Sequence, residues 1–145
     1  MSDTPHAIFA RTLRVVYCPA DPRVVDGERV RLEKSLKQLG AVQISTVKSL
    51  DDLTPSPVDL LAVAAQTVPT EQFPVWLRSF KQRVRKSVGI WTPAIILANL
   101  PFEILNEVMA EAVQDNWYFD ILSGDQLSSI PIRVANLIRI HDHLS

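Results

Sequence analysis

The stretch from Asp59 to Pro69 limits what this chain can fold into more than any other. Six aliphatic or small residues, Leu60 to Ala65, follow Asp59, and Gln66, Thr67, Val68 and Pro69 close the run. Pro57 stands in front of it. An unbroken apolar run of this length, set between prolines, suits a strand buried on both faces. Such strands lie inside parallel sheets, with helices packed over each face. Chemistry in open α/β sheets gathers at the carboxyl ends of the strands. Here that end reads Ala64, Ala65, Gln66, Thr67, with no acid, base or strong nucleophile.

The rest of the chain alternates strand and helix patterns. Leu13 to Cys18 predicts the first strand, stopped by Pro19. A loop to Gly27 leads into a helix ending near Gly40, with Val30, Leu32, Leu36 and Leu39 as its apolar members. Val42 and Ile44 alternate with Gln43 and Ser45, as in a half-exposed strand at a sheet edge. A short helical turn is expected at Leu50 to Leu53. Thr70 to Lys86 predicts a helix with Thr70 as N-cap and Phe73, Leu77, Phe80 and Val84 inward. Pro93 to Ala98 predicts a fourth strand. Phe102 to Gln114 predicts a helix with Ile104, Leu105, Val108, Met109, Ala112 and Val113 inward. Trp117 to Leu122 is the expected last strand. Gln126 to Leu144 is the expected last helix, with Pro131 in its first turn. Five strand–helix repeats imply right-handed crossovers and a parallel sheet.

Length and composition narrow the function classes. The 145 residues suit one domain, read as a tail over 1–10 and a domain over 11–145. Fifteen basic against 16 acidic side chains disfavour a general nucleic-acid or membrane surface. No apolar run approaches the ~20 residues that span a bilayer. No secretory leader pattern is present, so a cytoplasmic location is expected. The single Cys18 excludes an internal disulfide and argues for no zinc site.

These elements together resemble the receiver domain of response regulators over nearly the whole chain. Val15-Val16 and the two residues after them resemble the first strand and its acidic pair. Asp59 to Pro69 resembles the third strand, and Thr92 to Ala98 the fourth. Trp117 to Leu122 resembles the fifth. The resemblance implies a flavodoxin-like α/β three-layer sandwich with strand order 2-1-3-4-5. The family's functional residues do not carry over. The acidic pair falls on Tyr17 and Cys18. The phosphoacceptor falls on Ala65 counted from Pro69, or Ala64 counted from Asp59. The hydroxyl position falls on Ala98, and the lysine on Leu122 or Ser123. Phosphoryl transfer to aspartate needs a carboxylate nucleophile and a cation on the phosphoryl oxygens. The chain is therefore expected to be a pseudo-receiver with no phosphorylation, catalytic or metal site and no cofactor. FMN binding of the flavodoxin type needs a Ser-, Thr- and Gly-rich loop after the first strand. Pro19-Ala20-Asp21-Pro22 does not supply one.

Other residues carry weaker signals. Cys18 reads as a small buried hydrophobe, because no histidine or cation stands near it in sequence to form a thiolate. Asp21 and Asp26 are candidates to hold a cation, though capping the following helix explains Asp26 as well. Arg78, Lys81, Arg83, Arg85 and Lys86 make the third-strand helix basic. Solvated stems over an apolar stripe account for this pattern, so nucleic acid is an unlikely partner. His141 and His143 are two residues apart on a helix, the wrong spacing for a shared metal. The expected partner surface comprises Glu103, Glu107, Glu111, Tyr118, Arg133 and Arg139, on the last two helices and last strand. Receivers pair through this face, so the resemblance implies a homodimer or a regulatory protein partner there. The last helix is still periodic at its end, as expected if it led into an output domain. Two alternatives remain at this level. One is a small ligand-binding or enzymatic domain using the carboxyl edge near Cys18, Ala65, Gln66 and Asn99. The other is nucleic-acid binding through helix 78–86.

Overall fold

The structure, a computed structural model, describes residues 9–19, 27–48, 58–87, 92–115 and 119–144. Five strands form one sheet: β1 (Leu13–Cys18), β2 (Val42–Thr46), β3 (Leu60–Ala64), β4 (Ala94–Leu97) and β5 (Phe119–Leu122). Their order is β2-β1-β3-β4-β5, and every neighbouring pair is parallel. This is the flavodoxin-like α/β arrangement, with the fully apolar run at its centre. Every residue of β3 is buried. A strand covered on both faces gains nothing from alternation, and its sequence has none.

Four α-helices are present among the described residues: α1 (Gly27–Leu36), α2 (Phe73–Ser87), α3 (Phe102–Asp115) and α4 (Ile130–Leu144). Successive strand residues point to opposite faces, so the sheet feeds two cores. Val15, Tyr17, Leu60, Ala62, Ile95 and Leu97 pack with Leu32 and Leu36 of α1 and with Val134 and Ile138 of α4. Leu61, Val63, Ile96 and Ile121 pack with Phe73, Leu77, Phe80 and Val84 of α2 and with Val108 of α3. The result is three layers, helix on sheet on helix.

The periodicity locates the elements well and errs at particular side chains. Val30 is expected inward but is 61% exposed. It lies two residues before Leu32, roughly 200° around the helix, and so faces away from the core. Met109 also faces outward, a step of about 100° past buried Val108. The helix expected from Thr70 begins with a 3-10 turn over Thr70–Gln72, with no side-chain cap, and becomes α-helical at Phe73. The last helix likewise opens with a 3-10 stretch over Gly124–Ser129, and its α-helix starts at Ile130. The turn at Leu50–Leu53 and the first residues of the expected last strand, Trp117 and Tyr118, lie outside the described residues, as does most of the 1–10 tail. Phe9 and Ala10 are the exceptions: Phe9 is buried and donates its N–H to Leu39 O at 3.1 Å, and Ala10 is exposed.

Candidate functional site

The carboxyl ends of the strands bring together Tyr17, Cys18, Ala65, Ala98 and Ser123, the positions that the sequence resemblance pointed to. Tyr17 is 1% exposed, and its ring belongs to the α1–α4 core. Cys18 turns to the other face and is buried with Ala65 and Ala98 among α2 and α3 side chains. The Ala65 N–H donates to Leu97 O at 2.8 Å, and the Ala98 N–H to Leu122 O at 3.0 Å. The floor at these strand ends is therefore methyl groups and a thiol, closed by backbone hydrogen bonds. Ser123 is half-buried, and its hydroxyl donates to Gln126 Oε1 at 3.1 Å. Among the described residues no group of three His, Cys, Asp or Glu is placed to hold a metal ion. Asp21 and Asp26 lie outside the described residues.

The β5 edge carries a denser set of interactions. Arg133 of α4 places Nη1 2.8 Å from Asp120 Oδ2, and its Nε donates to Ser129 Oγ at 3.0 Å. The other Asp120 oxygen accepts the Ile121 N–H at 2.9 Å. Ser129 Oγ donates to the Gln126 carbonyl at 2.7 Å, and Gln126 Oε1 accepts the Ser123 N–H at 3.0 Å. One connected polar network thus runs from β5 through the 3-10 stretch to the first turn of α4.

The expected partner residues divide around this edge. Arg133 is held by Asp120, within the chain. Glu111 of α3 is bonded by Arg78 of α2, an ion pair that raises the Arg78 pKa above its ordinary value, first through the hydrogen bond and then through the charge. Glu103, Glu107 and Arg139 are exposed. Tyr118 lies outside the described residues. Of the basic residues on α2, Arg78 is thus committed to α3, while Arg83, Arg85 and Lys86 are exposed.

Sequence periodicity alone missed an apolar shoulder on α3. Phe102 is 71% exposed, Met109 is exposed, and Leu105 is half-buried between them. Their spacing of three and four residues sets them along one stripe. Phe102 and Met109 stand nine and two residues before Glu111, each roughly 180–200° around the helix from it. Since Glu111 faces α2, this stripe faces the β5 side. Ile140 of α4 is exposed seven residues after Arg133, on the flank that meets β5. The missed signal was Asp120 itself: one charge inside the otherwise apolar Phe119-Asp120-Ile121-Leu122 marks an edge strand.

A second polar cluster lies at the opposite end of the sheet. Arg11 donates to both oxygens of Asp142 at 3.0 and 3.1 Å, and to Asp59 Oδ1 at 3.1 and 3.3 Å. Asp59 Oδ2 accepts the Arg14 N–H at 2.8 Å. The hydrogen bond to Asp142, then the charges of both carboxylates, hold the Arg11 pKa above its ordinary value against partial desolvation.

No family model matches the chain, and no curated protein matches it. Among solved structures it is similar to one described as a flavodoxin from the domain Archaea. The TM-score is 0.46 and the identity 10%, over 90% of this chain and 100% of that one. The fold assignment rests on the strand order itself. No helix among the described residues is long and apolar enough to cross a membrane.

Proposed function

We propose that this chain is a receiver-like docking module that acts without phosphoryl transfer. It engages a regulatory protein partner or a second copy of itself through the surface of α3, β5 and α4. The observation that carries this reading is the contrast between two parts of the molecule. At the carboxyl ends of the strands, Cys18, Ala65 and Ala98 are buried and bonded shut, leaving no nucleophilic carboxylate where a receiver keeps one. At the β5 side, Phe102, Met109 and Ile140 stay in contact with water. Exposed apolar side chains grouped on one surface mark interaction sites, and a large aromatic among them is a natural anchor. Glu103, next to Phe102 at the start of the same helix, supplies charge near it, which sets specificity and association rate more than affinity.

Two measurements test the reading. Magnesium with beryllofluoride leaves the amide spectrum of the protein unchanged; shifts clustered at Cys18, Ala65 and Ala98 would defeat the phosphorylation-independent half. Sedimentation equilibrium detects concentration-dependent association that Phe102→Asp weakens. A wild-type chain that stays monomeric at every concentration removes the second copy as the partner.

A further inference from the structure

β2 borders the sheet on the side opposite β5, and β1 is its neighbour there. The Leu13 N–H donates to Ala41 O at 2.9 Å, and the Val47 N–H to Tyr17 O at 2.9 Å. These two bonds fix the alternation along β2. Ala41, Gln43, Ser45 and Val47 turn their backbone groups to β1, and Val42, Ile44 and Thr46 turn theirs away from the sheet. Among the described residues one side chain reaches this outward row: Arg29 Nη2 of α1 lies 3.5 Å from Ile44 O. That distance is at the limit of a hydrogen bond, and a carbonyl has a second lone pair. The outward N–H groups of Val42, Ile44 and Thr46 are unbonded among the described residues.

A border strand with free backbone groups is a template for another strand, and proteins protect such edges with charges, prolines or bulges. β2 has none of these. Its residues, Val42-Gln43-Ile44-Ser45-Thr46, are uncharged, and its register with β1 is unbroken. Gln43, Ser45 and Thr46 are exposed, while Val42 and Ile44 are half-buried against the α1–α4 core.

We propose that β2 pairs antiparallel with β2 of a second copy of this chain, across a two-fold axis at Ile44. The outward residues are spaced evenly about that position. The axis therefore sets Val42 against Thr46 of the copy, and Ile44 against its own equivalent. Every outward N–H of one strand meets an outward carbonyl of the other, and the sheet runs on through both molecules. On one face the two Ile44 side chains become direct neighbours and cover apolar surface that a single copy leaves exposed. On the other face Gln43 meets Ser45, so no like charges are opposed. The pairing calls for an extended strand of matching length with free groups at alternate residues, and a second copy carries one by construction. This edge lies across the sheet from the α3, β5 and α4 surface and does not depend on it.

The test uses the full chain carrying Phe102→Asp, which weakens association through α3 and leaves β2 unaltered. Sedimentation equilibrium of this variant shows a monomer–dimer equilibrium, and adding Thr46→Pro weakens it roughly tenfold or more. The proline removes one outward N–H from each copy and none that bonds β1. Amide exchange gives a second readout that needs no change in β2. From dilute to concentrated Phe102→Asp protein, the Val42, Ile44 and Thr46 amides slow roughly tenfold, while those of Gln43 and Ser45, already turned to β1, keep their rates. If Thr46→Pro does not fold, the exchange decides. A Phe102→Asp protein that stays monomeric at every concentration overturns the β2 dimer and leaves the docking reading standing. A dimer that Thr46→Pro leaves at full strength overturns it too, as does one whose formation leaves the three outward amides unchanged.

Discussion

Arg133 on α4 and Asp120 on β5 meet at 2.8 Å, and through this pair the last helix holds the outer edge of the last strand. Asp120 needs both its partners. One oxygen faces the guanidinium and the other accepts the Ile121 N–H. Arg133→Ala leaves this half-buried carboxylate without its cation. The side chains are 36% and 26% exposed, so solvent screening discounts the pair. The expected loss is about 1 kcal/mol, or roughly 3 °C in Tm, read by thermal unfolding. Arg133→Lys keeps the charge but loses the planar fork to Ser129, and falls between the two.

Gly40 ends the α1 region with φ 138° and ψ −156°, a conformation that side-chain-bearing residues rarely adopt. Gly40→Ala is expected to cost about 1–3 kcal/mol in chemical denaturation. Gly27→Ala provides the contrast. An added Cβ there meets nothing within 4 Å, so that variant keeps wild-type stability or gains slightly.

An aspartate introduced at position 65 does not create a site. Ala65 is 2% exposed among apolar neighbours. Ala65→Asp buries a carboxyl group there at a cost of about 2 kcal/mol or more. Burial raises the folded-state pKa of such a group above its unfolded value. The protonated form then fits the core better, and the variant loses further stability as pH rises through the carboxyl range. Urea unfolding at about pH 4 and pH 7 is expected to show the smaller deficit at the lower pH.

Arg11 joins the start of β3 to the last turn of α4 through Asp59 and Asp142. Arg11→Gln is expected to speed amide exchange in the last turn of α4 and to lower stability by about 1 kcal/mol, since the cluster is largely exposed. The guanidinium pKa is raised on folding, first by the Asp142 hydrogen bond. A raised pKa contributes stability that is present below the unfolded value and is lost only as pH rises through the folded one. Both values lie above the working range, so titration of Arg11 itself adds no slope to the wild-type-minus-variant difference between about pH 7 and pH 10.

The sequence made the fold legible because the β3 run and the apolar spacings of the helices are local patterns with one economical solution. Leu60 to Ala65 could only be a strand covered on both sides. Val42 and Ile44, alternating with Gln43 and Ser45, could only sit at an edge, and β2 does. The candidate surface was legible in part. Glu103, Glu107 and Arg139 were placed on the correct helices and are exposed. Met109 counted as a core residue because an apolar side chain in a helix carries no mark of which neighbour is absent. Glu111 and Arg133 were read as charges for a partner. Their true partners, Arg78 and Asp120, are 33 and 13 residues away in sequence, and only packing brings them together.

The sequence by itself determined the alternation of strands and helices, the buried centre at β3, and the alanines, with no carboxylate, at positions 64 and 65. These follow from hydrophobic periodicity and residue chemistry, which act over a few neighbours. The tertiary structure decided which N–H groups at the end of β5 are capped, which charges are spent inside the chain, and which apolar side chains remain uncovered. Those outcomes depend on distances between elements far apart in sequence, and no local pattern encodes them.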